Sequence, residues 1–132
     1  MLNLEKEVSE VFSDEQILPA IGQGAIALQC RIDDQKTLNI LKMVNDQESY
    51  CCIQAERALL EAIGGDCDTA VGGLAKLLNG KIVLKSELFS NDGSKKFIAE
   101  CSGSFKEAQE IGYKAGKELL KKAGPYFKVQ GN

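Results

Sequence analysis

The chain has 132 residues, 44% of them hydrophobic and 27% charged, which suits one folded domain with a core and argues against disorder. A formal charge of −3 argues against nucleic acid as a partner, because phosphate binding needs a basic face. No apolar run approaches the ~20 residues that cross a bilayer, and the acidic, amphipathic start is unlike a signal peptide, so no membrane partner is expected and the cytoplasm is the expected compartment.

The first 12 residues place Leu4, Val8, Val11 and Phe12 at helical spacing, which predicts a short helix over 2–12. A connection follows, and 25–31 read as a strand entered through Gly22-Gln23-Gly24, a stretch suited to close backbone approach. Asp33 or Asp34 caps a helix running to Val44, and Asp46 caps a second running to Ile63. Gly64-Gly65 stops that second helix, and Cys67 falls in the loop beyond.

Strand-like segments at 69–78, 81–89 and 96–102 are separated by Asn79-Gly80 and Asn91-Asp92-Gly93, both turn signals. Ser104 and Glu107 have the spacing of a capping box. The helix they open carries Ala108, Ile111, Ala115 and Leu119 as its apolar stripe. Gly112 and Gly116 on this helix cost propensity and suggest tight packing against a sheet. Gly124-Pro125 ends it. The predicted fold class is α+β: a three-stranded antiparallel sheet covered by two helices (α-β-β-β-α), preceded by an incomplete strand/helix segment. The division is 1–45 for that N-terminal segment and 46–132 for the α+β domain. A lone strand at 25–31 must find a partner in the meander, in a second copy or in a further domain.

The chemistry-bearing residues are few. With no histidine, acid–base work would fall to carboxylates, lysines or cysteines. The five cysteines show no C-x-x-C spacing, so no metal site is predicted, and Cys51-Cys52 read as helix interior. Glu56-Arg57 read as a structural ion-pairing site, and Asp66 and Asp68 as parts of a solvated turn around Cys67.

Two stretches are more specific. Pro19-Ala20-Ile21-Gly22-Gln23-Gly24-Ala25, trailed by Arg31, resembles the Pro-Ala-x-Gly-Gln-Gly-Ala signature of the porphobilinogen deaminases (hydroxymethylbilane synthases). Ala55-Glu56-Arg57, followed by Gly64-Gly65-Asp66-Cys67 and Gly72, resembles that family's cysteine segment at the same spacing. Asp66 and Ala70 stand where the family commonly has glycine and proline. The resemblance covers 17–123 and implies the C-terminal portion of such an enzyme, in a pathway of tetrapyrrole (haem) biosynthesis. It implies a transferase that condenses four porphobilinogen units into hydroxymethylbilane with loss of ammonia. Cys67 takes the position that anchors the dipyrromethane cofactor through a thioether, and Gln23 falls near the cofactor cleft. The catalytic aspartate of the family lies N-terminal to the matched region, so no catalytic residue is assigned on this chain.

The pyrrole acetates and propionates call for arginines, and this chain has two, Arg31 and Arg57. The expectation is therefore no activity alone, with porphobilinogen and oligopyrroles bound only together with N-terminal deaminase domains. Two alternatives stand beside it. One is a non-catalytic interaction module that forms a homodimer through the orphan strand; the other is a thiol redox module resting on Cys51-Cys52.

Overall fold

Asp34 and Asp46 each open a helix by accepting backbone N–H groups that a first turn leaves unpaired. The Asp34 carboxylate takes the Thr37 N–H at 3.0 Å, and Asp46 takes the Ser49 N–H at 2.7 Å. The computed structural model describes residues 4–65 and 69–128. In it α1 spans Gln35–Val44 and α2 spans Gln47–Ile63. Gly64 ends α2 in the left-handed conformation, φ 70°, as a helix stop requires.

Three strands follow: β1 (Val71–Leu78), β2 (Lys81–Phe89) and β3 (Lys96–Ser104), antiparallel in the order β1-β2-β3. The last helix, α3, spans Ala108–Ala123 and is entered through the expected capping box, with the Ser104 N–H donating to Glu107 Oε2 at 2.9 Å. The predicted α-β-β-β-α order is what the chain adopts. β3 runs two residues further than the sequence suggested, up to the capping serine itself.

Asn79 and Gly80 join β1 to β2, and both have positive φ, 52° and 75°. This is the turn geometry whose twist matches that of the flanking strands. A β-branched residue resists that conformation at a cost of about 1–2 kcal/mol. Asn79→Val is therefore expected to lower the urea midpoint by that amount of stability, whereas Asn79→Gly is expected to leave it nearly unchanged.

Helices α2 and α3 lie side by side on one face of the sheet. Leu59 and Ile63 from α2, Ile82, Leu84 and Leu88 from β2, and Leu119 from α3 are fully buried between them. The apolar stripe Ala108, Ile111, Ala115 and Leu119 is inside, as its spacing predicted. The glycines of α3 do something else than expected. A Cβ on Gly112 would stand 2.1 Å from the Ala55 carbonyl oxygen, and one on Gly116 2.6 Å from the Ala62 Cβ. Their partner is α2, not the sheet. Small residues on both helices, Ala55, Ala58 and Ala62 against Gly112 and Gly116, let the two backbones touch.

The N-terminal third departs from its sequence pattern. The predicted helix over 2–12 is reduced, among the described residues, to one 3-10 turn at Glu5–Glu7, and Leu4, Val8, Val11 and Phe12 are exposed. No strand forms at 25–31: Ile26 is 90% exposed, and Ile32, just beyond, 91%. Both failures share a cause. A short helix or a single strand is held by the surface it buries, and neither segment has apolar surface to meet within these residues. Even α1, which does form, buries no residue.

Candidate functional site

The segment 18–24 is the part of the N-terminal third that is built into the α+β domain. It runs along the open edge of β1. The Gly73 N–H donates to the Pro19 carbonyl at 3.0 Å, and Ala20 forms an isolated antiparallel bridge with Gly72. Leu18 lies against the Gly72 side of the strand, and Ile21 crosses to the helix side against Gly73 and Leu59. A Cβ on Gly73 would stand 2.6 Å from Ile21 Cδ1, so this strand position has to be small. The strand that the sequence placed at 25–31 is thus absent, and the edge contact with the meander is made a few residues earlier.

Two ion pairs tie the preceding loop to the domain. Lys76 Nζ meets Asp14 at 2.8 Å, and Lys85 Nζ pairs with Glu15. Both are solvent-exposed pairs and contribute little to stability.

Glu56, in the middle of α2, is the one buried carboxylate among the described residues. It is 3% exposed. Its Oε2 accepts the Gly22 N–H at 2.8 Å and its Oε1 accepts the Ala75 N–H at 2.9 Å. Burial pushes its carboxyl above the ordinary glutamate range, and the two backbone hydrogen bonds oppose that rise only in part. The ion-pairing role read for Glu56-Arg57 is not the one Glu56 takes. The helix turns Arg57 outward to solvent, and the carboxylate binds main chain instead.

The sequence carries a signal for this arrangement. Glu56 sits on the buried side of α2 with Ala55, Leu59 and Ile63, so a charge interrupts an apolar stripe. A charged residue in such a place needs a partner.

Beside Glu56 is an open groove of about 500 Å³, lined by Gln23, Gly24 and Ala25, by the capping Asp46 and by Glu48, Cys52 and Glu56 from α2, and by Leu74–Leu78 including Lys76. Gln23 is exposed at its lip, on the Gly22-Gln23-Gly24 turn. Cys52 faces the same groove half-buried; desolvation first, then the neighbouring Glu56 charge, raises its thiol above the ordinary range, which opposes nucleophilic or redox use. Cys51 lies in the core, as expected for helix interior, and Cys30, Cys51, Cys52 and Cys101 are all free thiols.

Cys67, with Asp66 and Asp68, lies outside the described residues. The ends of its loop are defined, however. Gly65 and Thr69 face each other so closely that a Cβ on Gly65 would be 2.8 Å from Thr69 Oγ1.

A dipyrromethane carries several carboxylates, and the groove beside Gln23 is a poor bed for it. Asp46, Glu48 and Glu56 line it against one lysine, Lys76, which is already paired with Asp14. Arg31 and Arg57, the two arginines, both point to solvent. The described residues do not supply a cationic cradle for such a group.

Comparison with known proteins fits the two motifs. The family model described as "Porphobilinogen deaminase, C-terminal domain" matches residues 50–121, more than half of the chain. The chain belongs to the porphobilinogen deaminase family. A second model, "Porphobilinogen deaminase, dipyromethane cofactor binding domain", matches residues 1–39. The porphobilinogen deaminase of Ehrlichia chaffeensis is 36% identical over 120 residues, which is 91% of this chain and 40% of that protein. Those of Coxiella burnetii and Syntrophomonas wolfei are 38% and 37% identical over 123 residues, 93% of this chain and 40% of each relative. The chain thus spans about 40% of the length of these curated relatives. The boundary between the two matched regions, 39 to 50, falls across the end of α1 and the start of α2. No helix among the described residues is long and apolar enough to cross a membrane.

Proposed function

We propose that this chain is the cofactor-anchoring part of a porphobilinogen deaminase, acting in tetrapyrrole biosynthesis in the cytoplasm, with Cys67 as the thioether anchor for dipyrromethane. The observation that supports this most is the spacing of Ala55-Glu56-Arg57, Gly64-Gly65 and Cys67, set in the stretch that matches the family's C-terminal domain. A thiol suits the role, being a strong nucleophile that leaves a durable C–S bond. Gln23 is assigned as a neutral cofactor contact from its signature turn.

The chain supplies the tether and not the catalytic groups. The cations for the pyrrole carboxylates and the catalytic aspartate would come from the N-terminal deaminase region, which would also cover the apolar side chains left exposed before residue 45. Porphobilinogen and oligopyrroles then bind to the assembly, and the isolated chain is expected to release no ammonia from porphobilinogen.

Intact-mass measurement with peptide mapping tests this directly. Produced together with the N-terminal domains of a family member, the wild-type chain is expected to gain the mass of two pyrroles on Cys67. Cys67→Ser is expected to abolish that gain completely. A free Cys67 thiol in the assembled, active complex would refute the assignment. A second reading, a homodimeric module without catalysis, draws on the exposure of Ile26, Ile32 and Met43, at 90%, 91% and 80%. A dimer mass in solution together with a persistently unmodified Cys67 would favour it.

A further inference from the structure

β1 is an edge strand, and an edge strand presents unpaired N–H groups at every second residue. Two successive edge donors are accounted for by different parts of the chain. Gly73 N–H is taken by the Pro19 carbonyl, and Ala75 N–H by Glu56 Oε1. The other oxygen of the same carboxylate takes Gly22 N–H, three residues beyond Pro19. One buried side chain therefore caps one donor of the edge and binds the segment that caps the other.

We propose that Glu56 is a positioning residue: its carboxylate latches the Gly22-Gln23-Gly24 turn to the edge of β1, so that 18–24 and the α+β domain move as one body. The two glycines flanking Gln23 have φ of 72° and 82°, and a Cβ at either would meet nothing within 4 Å. Within the turn the Gln23 N–H donates to the Ala20 carbonyl and the Ala25 N–H to the Gly22 carbonyl, and Pro19, Ala20 and Ile21 hold the segment's start to β1. The Gly22 N–H bond to Glu56 is the side-chain hydrogen bond that ties the turn to α2. That the turn and the Cys67 loop serve one site rests on the reading above; the latch itself rests on the hydrogen-bond geometry alone. Through it the placement of Gln23 is tied to α2, the helix whose far end leads into the Cys67 loop.

The chemistry of the pair dictates the variant. A carboxylate offers acceptors to two N–H donors at once, whereas a glutamine amide offers one acceptor and turns an NH₂ donor toward the second N–H. Ala75 is 6% exposed and held in a strand, so the single acceptor of Glu56→Gln goes there and Gly22 loses its partner.

The test is amide hydrogen exchange and NMR of the isotope-labelled 132-residue chain. In Glu56→Gln the Gly22 amide is expected to shift upfield and to exchange about tenfold faster or more, as loss of a bond to a charged group implies. The Leu84 and Leu119 amides, in β2 and α3, are expected to stay within about twofold of wild type. Unchanged exchange at Gly22 would overturn the latch. So would equal acceleration at all three amides, which would make Glu56 a general support of the fold. Should the variant not fold, the wild-type chain still decides, because a through-hydrogen-bond coupling between the Gly22 nitrogen and the Glu56 carboxyl carbon is required by the latch and its absence would sink it. No pyrrole enters any of these readouts, so their failure is separate from a failure to find an adduct on Cys67.

Discussion

Gly112→Ala is expected to destabilise the protein by about 2–3 kcal/mol, although helix propensity alone predicts a gain of about 1 kcal/mol. The two predictions have opposite signs, which makes the experiment decisive. An alanine Cβ at this position would stand 2.1 Å from the Ala55 carbonyl oxygen, 2.7 Å from the Ala58 Cβ and 2.8 Å from the Leu59 nitrogen. Two of these three neighbours are backbone atoms in the middle of α2, and they cannot rotate aside as a side-chain end could. Relief requires α3 to move away from α2, and the helices share one core, so the movement opens space around Leu59 and Leu119 as well. Chemical denaturation should show a lower midpoint with an unchanged slope, and the melting temperature should fall by roughly 10 °C or more. A stabilised Gly112→Ala protein would mean that the two helices are further apart than the structure has them.

The same contact shows what the sequence could and could not disclose. Both α3 glycines were recognisable as costly in a helix and so as signs of close packing, but nothing local says which neighbour they face. The features that were legible are those decided within a few residues. Asp46 and Ser104 were legible as caps, and Asp34 as one of two adjacent candidates with Asp33, because a cap bonds a backbone N–H two or three positions on. Asn79-Gly80 was legible because its two residues alone fix the turn. The alternation of β2 was legible because one face of that strand, Ile82, Leu84, Ser86 and Leu88, is buried along its length.

What escaped was long-range. Ile26 and Leu28 alternate as strand residues do, but a strand exists only with a partner, and the chain gives β1's edge to Pro19 and Ala20 instead. Glu56-Arg57 reads in sequence as a structural ion-pairing site, whereas the partners of Glu56 are backbone N–H groups 34 and 19 residues away. For the candidate site, the two motifs identified the family through residue order and spacing. They did not disclose that a carboxylate from the second motif reaches back to hold the glycine turn of the first, because that depends on how the edge of β1 is closed.

Leu59→Ala is expected to cost about 3–5 kcal/mol, while Ile26→Ala costs less than about 0.5 kcal/mol. Leu59 is 0% exposed and stands where α2, α3 and β1 converge: its Cδ2 lies 3.0 Å from the Cβ position of Gly73, and its backbone touches the Cβ positions of Gly112 and Gly116. Truncating it leaves a void among the packed side chains of the core, and the close backbone approach of α2 and α3 at Gly112 and Gly116 leaves the helices little room to collapse into it. Ile26 is a side chain of similar size but 90% exposed, so its removal takes almost no apolar surface out of a packed environment. Against a typical total of about 5–15 kcal/mol, the first change consumes a large part of the protein's stability and the second is barely measurable.

Urea titrations of the two variants would therefore map where folding energy resides: in the α2-to-α3 unit, with the residues before 18 and from 25 to 45 contributing little. If the N-terminal deaminase domains bind as proposed, the contrast changes on assembly. Leu59→Ala still weakens the complex through the fold of the domain itself. Ile26→Ala, silent in the free chain, then acquires a cost as the apolar side chain becomes buried against its partner, and the size of that cost measures how much of this exposed surface the assembly covers.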